Sequence, residues 1–399
     1  MKNESPKYRF DKFDENWFLV RISNIASQFK TGGTPSTKEP NFWGGTIPWI
    51  QSSDIQKDTL FGVIPQKFIS EEGLQNSSAK LIPKSSIAIV TRVGVGKLAI
   101  IEQDYTTSQD FLSLSDLNGD IQFLVYSIYR MLQKESTQLQ GTSIKGITKE
   151  ELLSKKISLP DIKEQSAIGS LFRTLDDLLA SYKDNLANYQ SIRANMLSKM
   201  FPKVGQTVPE IRLDGFEGEW KSDTFESYLT ESRILGDSGL DAKKITVKLW
   251  GKGVVEKEEK YAGSSNTQYY IRKAGQFIYS KLDFQNQAFG IVPTELDGYQ
   301  STLDLPTFDV KGIDTKFLLE YVMRREFYEY QGLIANGSRK AKRIHPDDFL
   351  SMPVRIPSLA EQQAIGDYFS NLDQLITSYQ EKITQLETLK KKLLQDMFI

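Results

Sequence analysis

Apolar positions in the chain fall into two long stretches with a 4-3 alternation, each closing one half of the sequence. In the first they are Ile168, Phe172, Leu175, Leu179, Tyr182, Leu186, Tyr189, Met196 and Met200. In the second they are Ile365, Phe369, Leu372, Ile376, Tyr379, Ile383, Leu386, Leu393 and Met397. A mean spacing of about 3.5 residues is the seam of a coiled coil. The slot missing from each series holds Arg193 and Lys390, at matching places. Asp161 with Glu164, and Ser358 with Glu361, have capping-box spacing and mark helix starts. At about 1.5 Å per residue, each helix makes a rod of roughly 60 Å whose apolar stripe needs a cover. Packing of the two helices on each other is expected, with packing on another chain as the alternative.

The two stretches are copies. Pro160-Asp-Ile-Lys-Glu164-Gln165-Ser-Ala167-Ile168-Gly169 returns 197 residues later as Pro357-Ser-Leu-Ala-Glu361-Gln362-Gln-Ala364-Ile365-Gly366. From Pro160 to Phe201, 15 of 42 positions are identical. The lead-in to each half repeats as well: Arg9-x-Asp11-x-Phe13-x-x-x-Trp17 against Arg212-x-Asp214-x-Phe216-x-x-x-Trp220. A repeat of this size governs the whole fold. The expected class is α+β with a pseudo-twofold: a globular domain over 1–158, a spacer helix over 159–202, a second domain over 203–357 and a second helix over 358–399. The sequence leaves the helix orientation open. An antiparallel coiled coil follows if the second domain carries the chain from one end to the other.

The domains read as mixed. Leu81–Arg92 and Leu98–Ile101 are strand-like around Gly94-Val95-Gly96, and Ile121–Leu132 is helical. The Gly- and Pro-rich stretch 31–55 predicts a long structured loop leading to a short strand, with Trp43 and Trp49 more readily core than stacking platforms. In the second domain Gln276–Lys281 and Phe289–Pro293 predict strands and Lys316–Tyr330 a helix. Likeness between the domains is faint, Ile89-Val90-Thr91-Arg92 falling beside Ile278-Tyr279-Ser280-Lys281. Each domain closes on a polar loop, Gly141–Ile147 and Asn336–Ile344, with Lys145 and Lys342 at the same repeat position. Small residues there allow close backbone approach, hydroxyls and amides can bond phosphates or base edges, and cations add charge. An ordinary solvated turn is the plain alternative.

Composition narrows the function. The 399 residues are 39% hydrophobic and 25% charged, as in a globular protein. The absence of cysteine removes disulfides, thiolate zinc sites and a cysteine nucleophile. No apolar run reaches a membrane-spanning length and MKNESPKYRF lacks a signal-peptide core, so the cytoplasm is the expected compartment, with no membrane partner. A net charge of −1 tells against a free-standing DNA binder. Local patches or partner subunits would have to supply the grip.

With the helix starts, the stretch Gly33-Thr34-Pro35-Ser36…Phe42-Trp43-Gly44-Gly45-x-Ile47-Pro48-Trp49…Asp54 and the turn Thr91–Ala99, the chain resembles the specificity subunit of type I restriction–modification enzymes from about Tyr8 to Ile399. The resemblance implies two target recognition domains, each reading half of a split, asymmetric site in double-stranded DNA. It implies spacer helices that fix the gap and dock two DNA adenine methyltransferase subunits, which restriction–translocation subunits can join. S-adenosylmethionine would belong to the methyltransferase, ATP and magnesium to the restriction subunit, and no cofactor to this chain. Candidate DNA contacts are Thr34, Ser36, Arg92, Lys97, Ser108, Gln109, Ser143 and Lys145 in the first domain. In the second they are Lys281, Ser338, Arg339, Lys340, Lys342 and Arg343. The second domain departs from the Gly-Thr-Pro-Ser type, so it should read different bases.

Catalytic signatures are missing from the sequence. There is no phosphate loop of the G-x-x-x-x-G-K-[S/T] kind and no [N/D]-P-P-[F/Y] methyltransferase tetrapeptide. The single His345 has no second histidine and suits a surface or hinge position. Glu258-Glu259-Lys260 has nuclease-like spacing but reads more simply as a solvated charge run. A non-catalytic DNA reader acting through partners is therefore expected. A coiled-coil scaffold with two protein- or glycan-binding domains is the competing class.

Overall fold

The computed structural model describes residues 6–92, 94–138, 146–239, 241–258, 264–334 and 343–399. Two compact units emerge, one from 1–183 with 381–399 and the other from 184–380. Both boundaries fall inside the long helices, which span Ile162–Lys199 and Leu359–Asp396. Each unit therefore contains the start of one helix and the end of the other.

In unit 1 a four-stranded antiparallel sheet runs in the order Ala26–Thr31, Phe111–Leu117, Ser86–Val90, Leu98–Ile101. Strand side chains alternate between faces. Ile87 and Ile89 join the core formed with Phe123, Tyr126, Ile168 and Phe172. Ala88 and Val90 join a second core with Ile50, Ile82 and Tyr105. Phe398 stacks on Phe123 at 5.3 Å and packs on Phe172 at 5.5 Å, so the far end of the second long helix completes the first core.

Unit 2 repeats the plan with Leu229–Glu231, Thr307–Val310, Phe277–Tyr279 and Phe289–Ile291 in one antiparallel sheet. Phe277 and Tyr279 face the helix-side core and Ile278 the other. Phe201 takes the part of Phe398, packing on Phe317 at 5.5 Å and Phe369 at 6.4 Å. The pairings Ile87–Leu114 and Ile89–Leu98 correspond to Phe277–Phe308 and Tyr279–Phe289. Ile89 is therefore the counterpart of Tyr279, one residue away from the sequence alignment that set it beside Ile278. A one-residue slip exchanges the two faces of a strand, so the apolar pattern misleads there.

The repeated motif works as a seat for each long helix. Glu164 is fully buried, and its carboxylate takes the Arg9 guanidinium through Nε and Nη2, both at 2.7 Å. Glu361 receives Arg212 in the same way, at 2.8 and 2.7 Å. The caps at these helix starts are one-sided: Asp161 and Ser358 accept from the backbone, while the expected capping-box glutamates turn to the arginines. A charge-assisted bidentate pair outcompetes a local backbone bond. Gln165 accepts from the Asp120 amide at 3.0 Å and donates to the Pro160 carbonyl at 2.9 Å; Gln362 does the same with Asp314 and Pro357. Gly169 lets the helix approach closely, since a Cβ there would lie 2.7 Å from the Phe123 amide nitrogen.

Along the seam, Ile168, Phe172, Leu175 and Leu179 are buried in unit 1, with Tyr182 and Leu386 half-buried and Ile383 buried. In unit 2 Ile365, Phe369 and Leu372 are buried, and Leu186, Tyr189, Ile376 and Tyr379 half-buried. Within each unit the helix segments run antiparallel: Lys390 bonds Asp176 and Lys183 pairs with Glu387 in unit 1. In unit 2 Arg193 grips Asp373 at 2.5 Å and Glu320 at 2.7 Å, while the rings of Tyr189 and Tyr379 lie 5.3 Å apart. The two polar seam slots thus hold equivalent ion pairs. Burial pushes the Glu320 carboxyl up to about 7, opposed by Arg193.

Three sequence expectations shift. The stretch 31–55 contains an eight-residue strand, Trp43–Ile50, not a short one at its end. Its glycines serve a bulge: the register slips between Trp43 and Ile47, Gly44 has φ +77°, and a Cβ on Gly45 would strike the Ile69 carbonyl. The helix expected over Lys316–Tyr330 divides into Thr315–Met323 and Arg325–Gln331. It breaks at Arg324, which leaves helical geometry and lies over Tyr321 at 4.1 Å and Phe201 at 4.7 Å. The strand expected over Leu81–Arg92 shortens to Ser86–Val90, because Ser85 adopts φ +60°.

The seat gives a stability prediction. Glu164→Ala leaves the Arg9 guanidinium, still largely covered, without its carboxylate, and should cost about 3 kcal/mol. Urea unfolding followed by the fluorescence of Trp17, whose indole also donates to Glu164, reads the loss. An unchanged midpoint would remove the anchoring role.

Candidate nucleic-acid interface

In unit 1 three segments converge on one polar surface. Gly33 donates to the Thr107 carbonyl at 2.9 Å and Ser108 to the Ile50 carbonyl at 2.9 Å. Trp49, buried, ties its indole N–H to the Gly33 carbonyl at 3.0 Å. Trp43, half-buried, ties its own to the Ser36 carbonyl at 3.0 Å. The Gly-Thr-Pro-Ser segment is therefore held by two tryptophans that pack edge to face at 5.1 Å. What it presents is Thr34 and Ser36, both exposed, beside exposed Gln109, whose amide oxygen accepts from Thr34 at 2.5 Å. Ser108 is buried and turned toward Asp110, so its hydroxyl is not presented alongside Thr34.

The glycine turn joins this surface from the next strand. Thr91 donates through both its amide and its hydroxyl to the Asp110 carbonyl, at 2.7 and 3.0 Å. Lys97, half-buried, reaches the Ser52 carbonyl at 3.1 Å, leaving it partly committed to the protein. Arg92 is exposed. Ile147 donates to the Thr91 carbonyl at 2.8 Å, so the chain emerging from the polar loop docks on the same turn. Ser143 and Lys145 lie outside the described residues. Lys67, which the sequence reading passed over, stands above both tryptophan rings at 6.0 and 5.7 Å. Its signal was the pairing of its strand with the tryptophan strand, invisible without the register.

Unit 2 uses the same backbone scheme with different side chains. Lys281 donates to the Asp304 carbonyl at 3.0 Å and Ile344 to the Lys281 carbonyl at 3.1 Å. Lys281 is thus the counterpart of Thr91. Partial burial lowers its pKa, the carboxylates of Asp304 and Glu231 oppose that, and the guanidiniums of Arg233 and Arg343 reinforce it. Arg343 is half-buried, with its Nε 4.0 Å from Asp304. Ser338, Arg339, Lys340 and Lys342 lie outside the described residues, as do Glu259 and Lys260 of the charge run. His345 is exposed and caps the helix Pro346–Leu350, its amide donating to Asp348 at 3.3 Å.

One surface offers hydroxyls and an amide, the other cations over a carboxylate. Hydroxyls and amides can read base edges, and arginine and lysine can hold phosphates or guanine. Among the described residues no group of three or more His, Asp or Glu is placed to hold a metal ion, and no helix is long and apolar enough to cross a membrane.

The scaffolding of the first surface is testable. Trp49→Phe keeps most of the packing but strips the donor from the Gly33 carbonyl, at a cost of about 1 kcal/mol. Amide exchange at Gly33, whose N–H bonds the Thr107 carbonyl, should quicken. Exchange as slow as in the parent would mean that Trp49 does not set the segment.

Comparison with known proteins gives a consistent picture. A family model described as "Type I restriction modification DNA specificity domain" matches residues 14–188 and 299–388. The "Type I restriction enzyme MjaIX specificity subunit" of Methanocaldococcus jannaschii is 26% identical over 197 residues, 48% of this chain and 45% of that protein. The "Type I restriction enzyme EcoR124I/EcoR124II specificity subunit" of Escherichia coli is 32% identical over 173 residues, 41% of this chain and 42% of that protein. These two matches thus span less than half the length of either relative. The fold is shared with the crystal structure of a type I restriction–modification S subunit from M. genitalium, at a TM-score of 0.63 and 13% identity, covering 99% of both chains.

Proposed function

The chain belongs to the type I restriction–modification DNA specificity family, and on that premise we propose that it is the sequence-reading subunit of such a system, acting in the cytoplasm. The observation that carries this is the pairing of one repeated frame with two unlike polar surfaces. Each unit reads one half of a bipartite, asymmetric site in double-stranded DNA. Unit 1 uses Thr34, Ser36, Gln109, Arg92 and Lys97, with Ser143 and Lys145 from the neighbouring loop. Unit 2 uses Lys281, Arg343 and the loop cations Arg339, Lys340 and Lys342, with Ser338. Ser108 stays on the proposed set only as a support for the segment beside it.

The two long helices act as a coiled-coil spacer that sets the gap between the half-sites and dock two adenine methyltransferase subunits, to which restriction–translocation subunits add. The chain itself is non-catalytic. S-adenosylmethionine enters with the methyltransferase, and ATP with magnesium enters with the restriction subunit. A chain of net charge −1 gains little from non-specific phosphate attraction, so its grip depends on those partners.

Methylome sequencing of cells carrying the chain with its methyltransferase should show one split motif. Absence of any new methylated motif, with the complex assembled, would sink the reading. In band shifts of that complex, Arg339→Ala with Arg343→Ala should make the salt dependence of log K shallower by about 2 and weaken binding. Equal binding across the salt series would remove these two contacts. Adding one helical turn, four residues, within 190–200 should widen the methylated spacer and leave both half-sites unchanged. A fixed spacer would show that the helices do not measure the gap.

A further inference from the structure

The hairpin Ile245–Val247 and Val254–Glu256 in unit 2 ends in the connection Lys248-Leu249-Trp250-Gly251-Lys252-Gly253. Trp250 is 58% exposed at its tip and Leu249 38%. Trp250 also holds φ +60°, in the left-handed region that glycine favours and a bulky side chain avoids. A tryptophan that is neither buried nor conformationally relaxed contributes little to the fold of the turn that carries it.

The turn is nevertheless firmly built. Val247 and Val254 sit in the core beside Ile278, and Lys248 donates to the Gly253 carbonyl at 2.9 Å. Trp250 donates to the Asn286 carbonyl at 2.8 Å and Gly251 to the Gln287 carbonyl at 3.0 Å. A Cβ on Gly251 would strike Met323. Backbone strain persists only where surrounding contacts over-determine it, and it gathers at binding sites. The loop that receives these bonds runs on from Lys281, so the tip is continuous with the proposed contacts of unit 2.

Charge selects the partner. Between Lys243 and Val254 the chain has four lysines and no acid. Lys248 and Lys252, on either side of the tryptophan, are exposed and form no ion pair among the described residues. An apolar tip between two free cations suits a groove walled by phosphates, with the lysines on the backbone and the ring against sugars or base edges. We propose that the Lys248–Lys252 turn is a further DNA-contacting element of unit 2, with Trp250 as its groove-facing side chain. The proposal rests on the DNA-reading function above.

Trp250→Gly is the informative variant, because glycine accepts φ +60° and the turn keeps its backbone bonds. The full chain is assembled with its methyltransferase and titrated into a fluorescein-labelled duplex bearing the methylated motif. Trp250→Gly should melt no lower than the parent and bind about tenfold more weakly. Lys248→Ala with Lys252→Ala should make the salt slope of log K shallower by about 2. If the parent complex binds its motif and Trp250→Gly binds equally tightly, the proposal falls and the DNA-reading function stands. If the parent complex binds no duplex, the function itself fails and takes the proposal with it. If the variant sheds the methyltransferase on gel filtration while assembled complex keeps its affinity, the turn is a protein contact and the proposal is overturned.

Discussion

A carboxylate withdrawn from water at the first turn of each long helix is the constraint on which the rest of the architecture depends. Left alone, the buried Glu164 would be costly in its charged form, and its answer comes from Arg9, distant in sequence and held in a bidentate pair. The pair fixes the lead-in segment against the helix. Beside it Gln165 fixes the helix against Asp120, the cap of another helix, and Gly169 makes that approach possible. The same four positions operate through Arg212, Glu361, Gln362 and Gly366 in unit 2. Such a seat supplies direction as much as stability, because a bidentate guanidinium tolerates little rotation.

That division of labour explains which parts of the molecule were legible. The helix repeat was plain because seat and seam restrict residue type at fixed spacing. The lead-in repeat, Arg9 to Arg212, was plain too, but its partner was not: the glutamate looked like half of a capping box, and only the fold shows the arginine within reach. The domain repeat was obscured by drift. Counterparts lie 203 residues apart at Arg9 and Arg212, 190 at Ile87 and Phe277, 194 at Phe123 and Phe317, and 197 at Glu164 and Glu361. A search at one spacing catches one of these and slips on the others. Glycines misled for a related reason, since in the strand Trp43–Ile50 they serve a bulge, and composition alone cannot separate a bulge from a loop.

The candidate surfaces were legible in kind and not in arrangement. Thr34, Ser36 and Gln109 do come together, but through backbone bonds between residues 33 and 107 and between 50 and 108 that no local pattern announces. Ser108, chosen for its neighbours, turns inward to Asp110. Lys67 was missed because its importance lies in what it stands above.

Two unlike surfaces on one frame also bear on the weak net charge. If unit 1 reads DNA as proposed, its exposed Thr34, Ser36 and Gln109 would add discrimination from geometry and little phosphate attraction. The share of affinity proposed for those neutral groups would be nearly independent of the basic excess that a solitary DNA binder requires. In unit 2 Arg343 lies beside Asp304, and Lys281 feels both Asp304 and Glu231, so part of the charge of these two is already answered inside the protein. Those carboxylates hold the cations in place while limiting their pull on arbitrary DNA. A chain that reads DNA as proposed would bind weakly where the sequence is wrong, because Lys281 and Arg343 already face carboxylates and the hydroxyls of unit 1 would go unmatched. On the proposed function, full affinity would require both half-sites to fit at once with partner subunits in place. On the proposed function near-neutrality would favour selectivity, so a charge of −1 is compatible with a subunit that reads DNA together with partners.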